Sequence, residues 1–231
     1  WVGDRFDAFL GDTHGRDQIN AIEAAFAADG QLLALSVHSR ANMGAYLNGF
    51  APAIPSYMTG CMLSGAYAVP LIYACCEGVY TNTVPVDAYR GAGRPEATYL
   101  IERLMDRAAR LIGLAPDQIR RRNFITAGQM PYRTASGCTY DSGDFARGLD
   151  QALAAADWAG FAERRRSALA RGRRRGIGLS SYVEICGYEA EEATIRFAAD
   201  GICEVLVGTQ STGQGHATAY AQIAADGVGV R

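Results

Sequence analysis

The sequence lacks several features that would assign it at once to a broad class of proteins. No run approaches the roughly 18 uninterrupted apolar residues that a membrane-spanning helix requires. A formal net charge of −2 at pH 7 excludes, on bulk electrostatics, a strongly basic nucleic-acid-binding protein. The start, Trp1 to Arg5, has no basic segment followed by an apolar stretch, so a secretory signal is not predicted. Because it also lacks an initiator methionine, and because the sequence stops at Arg231 just after a helical pattern, we expect an internal fragment of a longer protein.

The cysteine and histidine patterns exclude several kinds of site. No Cys-x-x-Cys pair occurs, which argues against zinc or iron–sulfur ligation within the chain. The six cysteines are irregularly spaced, and a chain of 231 residues can form a core without disulfides, so we expect reduced thiols in a cytoplasmic protein. The three histidines fall on separate predicted elements and do not suggest a metal triad. No Gly-x-Ser-x-Gly motif points to a serine hydrolase. The residues concerned are Cys61, Cys75, Cys76, Cys138, Cys186, Cys203, His14, His38 and His216.

Hydrophobic patterns in the first part of the chain predict strands followed by helices. Gln18 to Asn42 reads as two strands joined by Asp29-Gly30, a dipeptide typical of a type I′ turn, and Leu71 to Tyr80 reads as a third strand. The clearest helix runs from Pro95 to Ile112, because proline suits the first helical position and apolar residues then recur every three or four positions. Its buried side should carry Leu100, Ile101, Leu104 and Ala108, and shorter helices are predicted over Pro116–Arg122 and Asp144–Ala156.

The remainder of the chain is predicted to be mostly strand. An Arg-rich segment at 161–175 is the candidate linker between this part and the mostly helical part before it. Asp200-Gly201 predicts a second hairpin turn, and a final helix is predicted from Ala217 to Asp226. These patterns together predict an α+β fold with mixed sheets and packed helices. The predicted strands of this part are Ile177–Ile185, Glu192–Ala199 and Ile202–Val207.

Two glycine-rich stretches, Ala88–Arg94 and Gly208–His216, stand immediately before predicted helices. Glycine lets the backbone approach a ligand closely, and a helix N-terminus offers N–H groups to an anion. Arg90 and Arg94 can add paired contacts to a phosphate or oxo group, and the glutamines of the second stretch can both donate and accept. The alternative is an ordinary turn before a helix, with two solvated arginines. A lone Gly-x-Gly pattern does not decide between the two.

The longer run from Thr81 to Ala97 resembles the active-site loop in the large subunits of molybdenum hydroxylases. This family contains the xanthine dehydrogenases, aldehyde oxidases and aerobic carbon monoxide dehydrogenases. The run reads Thr-Asn-Thr-Val-Pro-Val-Asp-Ala-Tyr-Arg-Gly-Ala-Gly-Arg-Pro-Glu-Ala. Leu100–Arg103 and Leu114–Phe124 continue the likeness, and Gly208–His216 resembles the molybdopterin-binding loop. The resemblance covers nearly the whole chain in order, and Ala-Tyr-Arg-Gly-Ala-Gly-Arg looks like the form II relatives of carbon monoxide dehydrogenase.

The resemblance implies roles for individual positions. Arg90 matches the arginine that helps to position the substrate beside molybdenum, and Gly91 falls where carbon monoxide dehydrogenases carry a copper-binding cysteine, so no copper is expected. Ala92 matches the phenylalanine against which xanthine dehydrogenases stack a purine, which argues against a purine substrate. No residue of the chain is expected to bind the metal directly. By looser alignments the substrate pocket includes Met58, Ala92, Val183 and Glu184, and the implied cofactor-binding residues are Gly91, Ala92, Gly93, Gln210, Gly213, Gln214, Gly215 and His216.

The resemblance also implies cofactors and partners. The expected cofactor is molybdenum in molybdopterin cytosine dinucleotide, with iron–sulfur clusters and FAD in a small and a medium partner subunit, assembled as a dimer of heterotrimers. The implied reaction oxidises a small carbonyl, N-heterocyclic or CO-like substrate with water as the source of oxygen. A Gly-Gly-Gly-Phe-Gly loop is expected before Trp1 and the glutamate base beyond Arg231, so the chain alone should be inactive.

On the same basis the chain divides into two parts of the molybdopterin-binding region. Residues 1–160 form the first part, which carries the active-site loop at 88–94. Residues 161–175 are the Arg-rich linker, and residues 176–231 begin the second part, which carries the loop at 208–216.

Two other interpretations compete with an enzyme. The arginines between 164 and 175 form a basic cluster of the kind that binds nucleic acid. The acidic overall balance and the lack of interleaved aromatic residues favour instead a solvated face or a subunit contact. A non-catalytic interaction fragment is the alternative class, and the molybdenum content of the full-length protein would separate it from an enzyme.

Overall fold

The computed structural model describes residues 1–185, 191–211 and 213–229, and the chain falls into two compact units, Trp1–Glu184 and Ile185–Arg231. Helices and strands are mixed in both units, which confirms the predicted α+β class. The first unit contains α1 (Arg5–Gly11), β1 (Gln18–Phe26), β2 (Leu32–Gly44), a π-helical turn (Ile54–Met58), β3 (Ile72–Tyr80), α2 (Arg94–Ile112), α3 (Pro116–Asn123), a 3-10 turn (Ala127–Gln129), β4 (Tyr132–Arg133), β5 (Thr139–Tyr140), α4 (Phe145–Ala155) and α5 (Phe161–Ala170). The second unit contains β6 (Ala193–Phe197), β7 (Cys203–Val207) and α6 (His216–Val228).

The main sheet of the first unit is mixed, as predicted. Its central strand β2 pairs antiparallel with β1 and parallel with β3. Alternate residues of β2, including Leu35, Val37 and Ala41, are buried, which is the period expected of a strand with one face on a core. Because β2 and β3 are parallel, the chain must cross from one end of the sheet to the other, and residues 45–71 with their π-helical turn form this connection.

The two hairpins are closed by the same kind of turn, and the type I′ turn predicted for the first hairpin is wrong. A type I′ turn needs positive φ at both central residues, whereas only the glycine of each Asp-Gly pair has it, with φ of 92° at Gly30 and 86° at Gly201. In the first hairpin the Ala27 N–H donates to the Gln31 carbonyl (2.8 Å) and the Gly30 N–H donates to the Ala27 carbonyl (2.9 Å). Ala198, Gly201 and Ile202 repeat this pattern in the second. Three-residue loops ending in a left-handed glycine therefore form both tips.

Helix α2 supplies much of the core of the first unit. Leu100, Ile101 and Ala108 are buried as predicted, whereas Leu104 is only half-buried on the side that faces β1. The helix ends at Gly113, which adopts the left-handed conformation (φ 83°) that commonly terminates helices. The apolar stripe therefore identified the packing face of α2.

A buried ion network joins α2 to α3. The side chain of Arg120 is fully buried and its guanidinium contacts the carboxylates of Glu102 (2.7 Å) and Asp106 (2.9 Å). Tyr67 donates a hydrogen bond to the same Glu102 carboxylate, and burial followed by that carboxylate raises the pKa of the Tyr67 hydroxyl above its usual value. Arg120 also donates to the carbonyl of Leu179 (3.0 Å), so the network holds the segment that leads to the end of the unit.

One sequence prediction needs correction here. The predicted strand Ile177–Ile185 has no regular secondary structure, and the carbonyl of Leu179 accepts a hydrogen bond from the buried Arg120 side chain instead of from a neighbouring strand. The Arg-rich segment is helical over Phe161–Ala170, where Ala, Glu, Arg and Leu are good helix formers. Helix α1 was not predicted, although Asp4 and Asp7 form a reciprocal capping box at its start.

The second unit is small and exposes most of its surface. Within its described residues the β6–β7 hairpin and α6 confirm the predicted order of strand, turn, strand and helix. Ala224 is the buried apolar residue of this part. In the part of the chain that the structure describes, no helix has both the length and the apolar character needed to cross a membrane.

Candidate functional site

The first glycine-rich stretch, Ala88–Arg94, is a tight turn with three successive positive φ angles. These are 91° at Gly91, 25° at Ala92 and 93° at Gly93, and a side chain at the middle position makes the turn strained. Within the turn the Ala92 N–H donates to the Tyr89 carbonyl (2.8 Å) and the Arg94 N–H to the Gly91 carbonyl (3.2 Å). Hydrogen bonds within the loop therefore hold its backbone without any contribution from a ligand.

Close packing explains why Gly93 must be glycine. A Cβ built on Gly93 would lie 2.6 Å from both the Cβ and the backbone carbon of Met58, and 2.8 Å from the Thr59 nitrogen. The π-helical turn that ends at Met58 thus packs directly against the loop. The structure brings half-buried Met58 next to the active-site loop, although the sequence alignment for this position was loose.

The two arginines of the loop have different environments. Arg94 is held inside the protein: its Nη1 donates to the carbonyls of Gly91 (3.2 Å) and Ala92 (3.0 Å), and its Nε lies 2.9 Å from the Glu184 carboxylate. Arg90 is exposed, and its guanidinium has no hydrogen-bond or ion-pair partner among the residues that the structure describes. Spacing alone does not distinguish these two residues, and only the family resemblance assigned substrate positioning to Arg90. Arg94 supports the loop, and Arg90 is the one whose donors face outward.

The helix N-terminus after this loop does not offer the anion site that the sequence suggested. Glu96 turns back to accept a hydrogen bond from the Gly93 N–H (2.8 Å), and Pro95 has no N–H to donate. A carboxylate of the protein therefore occupies the positive end of α2. The basic character of the loop comes from Arg90 rather than from the helix end.

Residues 179–184 lie beside the base of this loop. Val183 is half-buried and Glu184 forms the ion pair with Arg94 described above. An open groove of about 490 Å³ separates this segment from α2. Its walls include Pro95, Tyr99, Leu179, Tyr182 and Glu184. The predicted substrate-pocket residues Met58, Ala92, Val183 and Glu184 are thus all within the first unit, around one loop.

Sequence analysis missed Arg16, which contacts the loop from the segment before β1. Its guanidinium lies over the Tyr89 ring, 4.7 Å from the ring centre, and it donates a hydrogen bond to the Arg90 carbonyl. Its Nε is 3.5 Å from the Glu96 carboxylate. Arg16 and Arg90 are 74 residues apart in sequence, so no local pattern indicated the contact.

A protonated thiol lies behind the loop. The Cys61 thiol donates to the Met58 carbonyl (3.5 Å). Burial, and after it the neighbouring Cys138 thiol, raises the pKa of Cys61 to about 11. The thiol therefore stays neutral near pH 7 and is a poor nucleophile and metal ligand. All five described cysteines are free thiols, whereas Cys186 lies outside the described residues.

The second glycine-rich stretch, in the other unit, is held by few contacts. The Gln214 side-chain amide donates to the Gln210 carbonyl (3.2 Å), and Thr209 shares a hydrogen bond with the Tyr220 hydroxyl (3.1 Å). Gly213 and Gly215 have φ of 99° and 81°. A Cβ on either glycine would meet no atom of the described residues within 4 Å, so among these residues space is open beside this backbone. Thr212 lies outside the described residues.

One buried polar atom of the second stretch, His216 Nδ1, indicates a ligand site. The His216 ring stacks on Tyr220 with ring centres 4.8 Å apart, and its Nδ1 is buried without a hydrogen-bond partner among the described residues. A buried polar atom without a partner costs free energy, so it calls for a donor or an acceptor from outside the described protein. With the open space at Gly213 and Gly215, these residues fit a flat, polar ligand such as a pterin. In the described residues no group of three His, Cys, Asp or Glu side chains could hold a metal ion.

Comparison with known proteins points to the same kind of ligand. Two family models, both described as molybdopterin cofactor-binding domain, match residues 1–124 and 151–231. The 6-hydroxypseudooxynicotine dehydrogenase complex subunit gamma of Paenarthrobacter nicotinovorans is 33% identical over 98% of the chain, which spans 29% of that protein. The carbon monoxide dehydrogenase large chain of Hydrogenophaga pseudoflava is 34% identical over the whole chain, which spans 31% of its length.

A solved structure extends the similarity to three dimensions. The chain superposes on quinoline 2-oxidoreductase from Pseudomonas putida 86 with a TM-score of 0.87 and 34% sequence identity. The match covers 98% of the chain and 30% of that protein. The chain therefore spans about a third of the length of the proteins that it matches.

Proposed function

The chain belongs to the family of molybdopterin cofactor-binding domains, and from this premise we propose that it is part of the large catalytic subunit of a molybdenum-dependent hydroxylase or dehydrogenase. The observation that carries the proposal is the contrast between the fixed backbone at 90–94 and the exposed guanidinium of Arg90, which has no partner among the described residues. A donor fork on a rigid loop is suited to orienting a polar substrate atom.

The residues of the chain divide the work of binding and orientation. When bound, the molybdenum cofactor supplies the two-electron redox chemistry, with water as the source of oxygen. Arg90 orients the substrate, and the small side chain of Ala92 leaves room where a larger residue would stack on it. Met58, Val183 and Glu184 line the substrate pocket. Because the Glu184 carboxylate is paired with Arg94, Glu184 forms part of the pocket wall and does not transfer a proton in this proposal.

The second stretch is proposed to be a cofactor-binding segment in its own right. His216 Nδ1 is the buried atom that a cofactor group would satisfy, and the open space at Gly213 and Gly215 admits a flat ring. Gln210 and Gln214 supply amide groups for its polar edge. Gly91, Ala92 and Gly93 are likewise proposed to contribute backbone to cofactor binding, and residues 1–160 and 176–231 are proposed as the two parts of the binding region.

The cofactor form, partners and location are further parts of the proposal. We propose molybdopterin cytosine dinucleotide as the cofactor, an iron–sulfur small subunit and an FAD-binding medium subunit as partners, and a dimer of heterotrimers in the cytoplasm. The subunit and large-chain designations of the relatives support a multi-subunit complex, and the free described thiols support a reducing compartment. Glycine at position 91 supports a centre without copper, since Cu(I) prefers sulfur ligands.

The test is metal analysis and turnover of the full-length protein expressed with its partner subunits. We expect about one molybdenum per large subunit, iron, and no stoichiometric copper. Arg90→Lys should lower kcat roughly 10- to 100-fold with molybdenum content unchanged, because the charge stays while the fork is lost. Quinoline, an aromatic aldehyde and carbon monoxide serve as probes of the substrate class. A protein without molybdenum or turnover would favour the alternative, a non-catalytic interaction fragment.

A further inference from the structure

Three separate parts of the first loop and its following helix converge on one side chain, Arg16. Its guanidinium covers the ring of Tyr89, donates to the carbonyl of Arg90 and faces the carboxylate of Glu96 at 3.5 Å. Glu96 in turn accepts the Gly93 N–H (2.8 Å). Arg16 therefore contacts the residues on both sides of the turn that presents Arg90.

The backbone around Arg16 is shaped for this contact. Arg16 has φ of 58°, a left-handed conformation that is unfavourable for a residue with a side chain. Gly15 precedes it, and a Cβ there would lie 2.5 Å from the Cβ of Tyr89. The same segment is fastened to the chain before the loop, since the His14 N–H donates to the Pro85 carbonyl (3.0 Å) and the Asp87 N–H donates to the His14 carbonyl (2.8 Å).

We propose that Arg16 is a positioning residue for the reaction, which acts by holding Tyr89 and the Arg90 carbonyl so that the Arg90 side chain points outward toward the substrate. Strained backbone that persists at a site is a sign that the surrounding structure requires it there. The inference rests on the proposed function for the role of Arg90. The mechanical part, that Arg16 restrains the loop, rests on the contacts alone.

The substitution that isolates the side chain is Arg16→Asn, because asparagine tolerates the left-handed conformation but has no guanidinium. Arg16→Lys keeps the charge and loses the fork of donors, so its effect should be intermediate. The matched control is Arg40→Asn, which removes an exposed arginine paired with Glu77 (3.1 Å) on the main sheet, away from the loop. All variants are made in the full-length protein with its partner subunits, and melting temperature and molybdenum content are measured for each.

The first readout does not need an active enzyme. Trypsin cleaves after arginine but not before proline, so Arg90 is the cleavable bond of the turn and Arg94, followed by Pro95, is protected. Cleavage after Arg90 is measured by mass spectrometry relative to cleavage in the exposed run Arg173–Arg175. We expect Arg16→Asn to raise this ratio at least fivefold, and Arg40→Asn to leave it unchanged. An unchanged ratio in both Arg16 variants would overturn the proposal.

The second readout separates positioning from general stability. Arg16→Asn should lower kcat per molybdenum about tenfold, an effect expected when a catalytic side chain is misplaced by a fraction of an ångström. In an Arg90→Lys background the same change should have almost no further effect, because the group that Arg16 positions is already impaired. Additive losses in the double variant, or a loss explained by lower molybdenum content, would contradict a positioning role. If the wild-type protein has neither molybdenum nor turnover, the proposed function fails, while proteolysis still decides whether Arg16 restrains the loop.

Discussion

The two glycine-rich stretches resemble each other in sequence and differ in how they are held. At 88–94 several neighbours hold the turn. The Arg94 side chain donates to a carbonyl within the turn, the Glu96 carboxylate accepts the Gly93 N–H, and Met58 packs against Gly93. At 208–216 the described contacts are few, and a Cβ on Gly213 would meet nothing. Glycine is thus required in the first loop by close packing and in the second by backbone conformation beside open space. The first loop is therefore preorganised by contacts within the protein, whereas the second leaves open space beside its backbone.

The largest loss of stability should come from breaking the buried ion network between α2 and α3 in the unit that carries the first loop. Replacing Arg120 with methionine leaves the Glu102 and Asp106 carboxylates without their buried cation, which should cost about 3–5 kcal/mol of unfolding free energy. The control is Arg122→Met on the same helix, which breaks a solvent-exposed pair with Asp29 and should cost far less. Chemical denaturation of the full-length subunit measures both. Equal losses in the two variants would show that the network does not stabilise this region.

A matched pair of glycine substitutions tests the contrast between the loops directly. Gly93→Ala and Gly213→Ala impose the same backbone strain, about 1–2 kcal/mol each, because both positions have strongly positive φ. Gly93→Ala adds an overlap with the backbone of Met58 and Thr59, so its total cost should reach about 3 kcal/mol. The measurement is the difference in unfolding free energy between the two variants. If Gly213→Ala were as costly as Gly93→Ala, the open space in the second loop would be ruled out.

The smallest expected effect concerns cofactor retention by the second loop. Gln214→Ala should make the free energy of cofactor binding less favourable by about 1–3 kcal/mol, since a polar contact is lost from the site. Molybdenum content after dialysis should fall, and turnover should fall with it. Gln222→Ala, an exposed glutamine on α6, is the control and should retain full molybdenum. Full molybdenum in the Gln214 variant would place the cofactor elsewhere.

Local periodicity predicted the helix whose apolar residues form a stripe along one face and the strands whose apolar and polar residues alternate. Helix α2 and the two hairpins follow from spacing that is visible within a few residues, and three of the four α2 side chains predicted to be buried are buried, the exception being Leu104. The segment at 177–185 could not be predicted in this way, because its shape depends on Arg120 reaching the Leu179 carbonyl across 59 residues of sequence.

The candidate site shows the same division. Resemblance to known loops identified Arg90, but Arg90 and Arg94 flank the same glycines, and only the contact of Arg94 with Glu184 separates their roles. Arg16 was missed because it contacts the loop through long-range tertiary contacts. Turn type was misjudged for a different reason, since the Asp-Gly dipeptide is compatible with more than one turn and loop length decides which one forms.

Gly91 and Pro95 together limit which side chains this loop can carry. A Cβ at position 91 would lie 2.7 Å from Pro95 Cγ, and φ of 91° disfavours any side chain there. In the geometry of this turn Gly91→Cys would therefore overlap the Pro95 ring and strain the backbone at the same time. The turn can accept a thiol at position 91 only if its backbone or the start of α2 shifts.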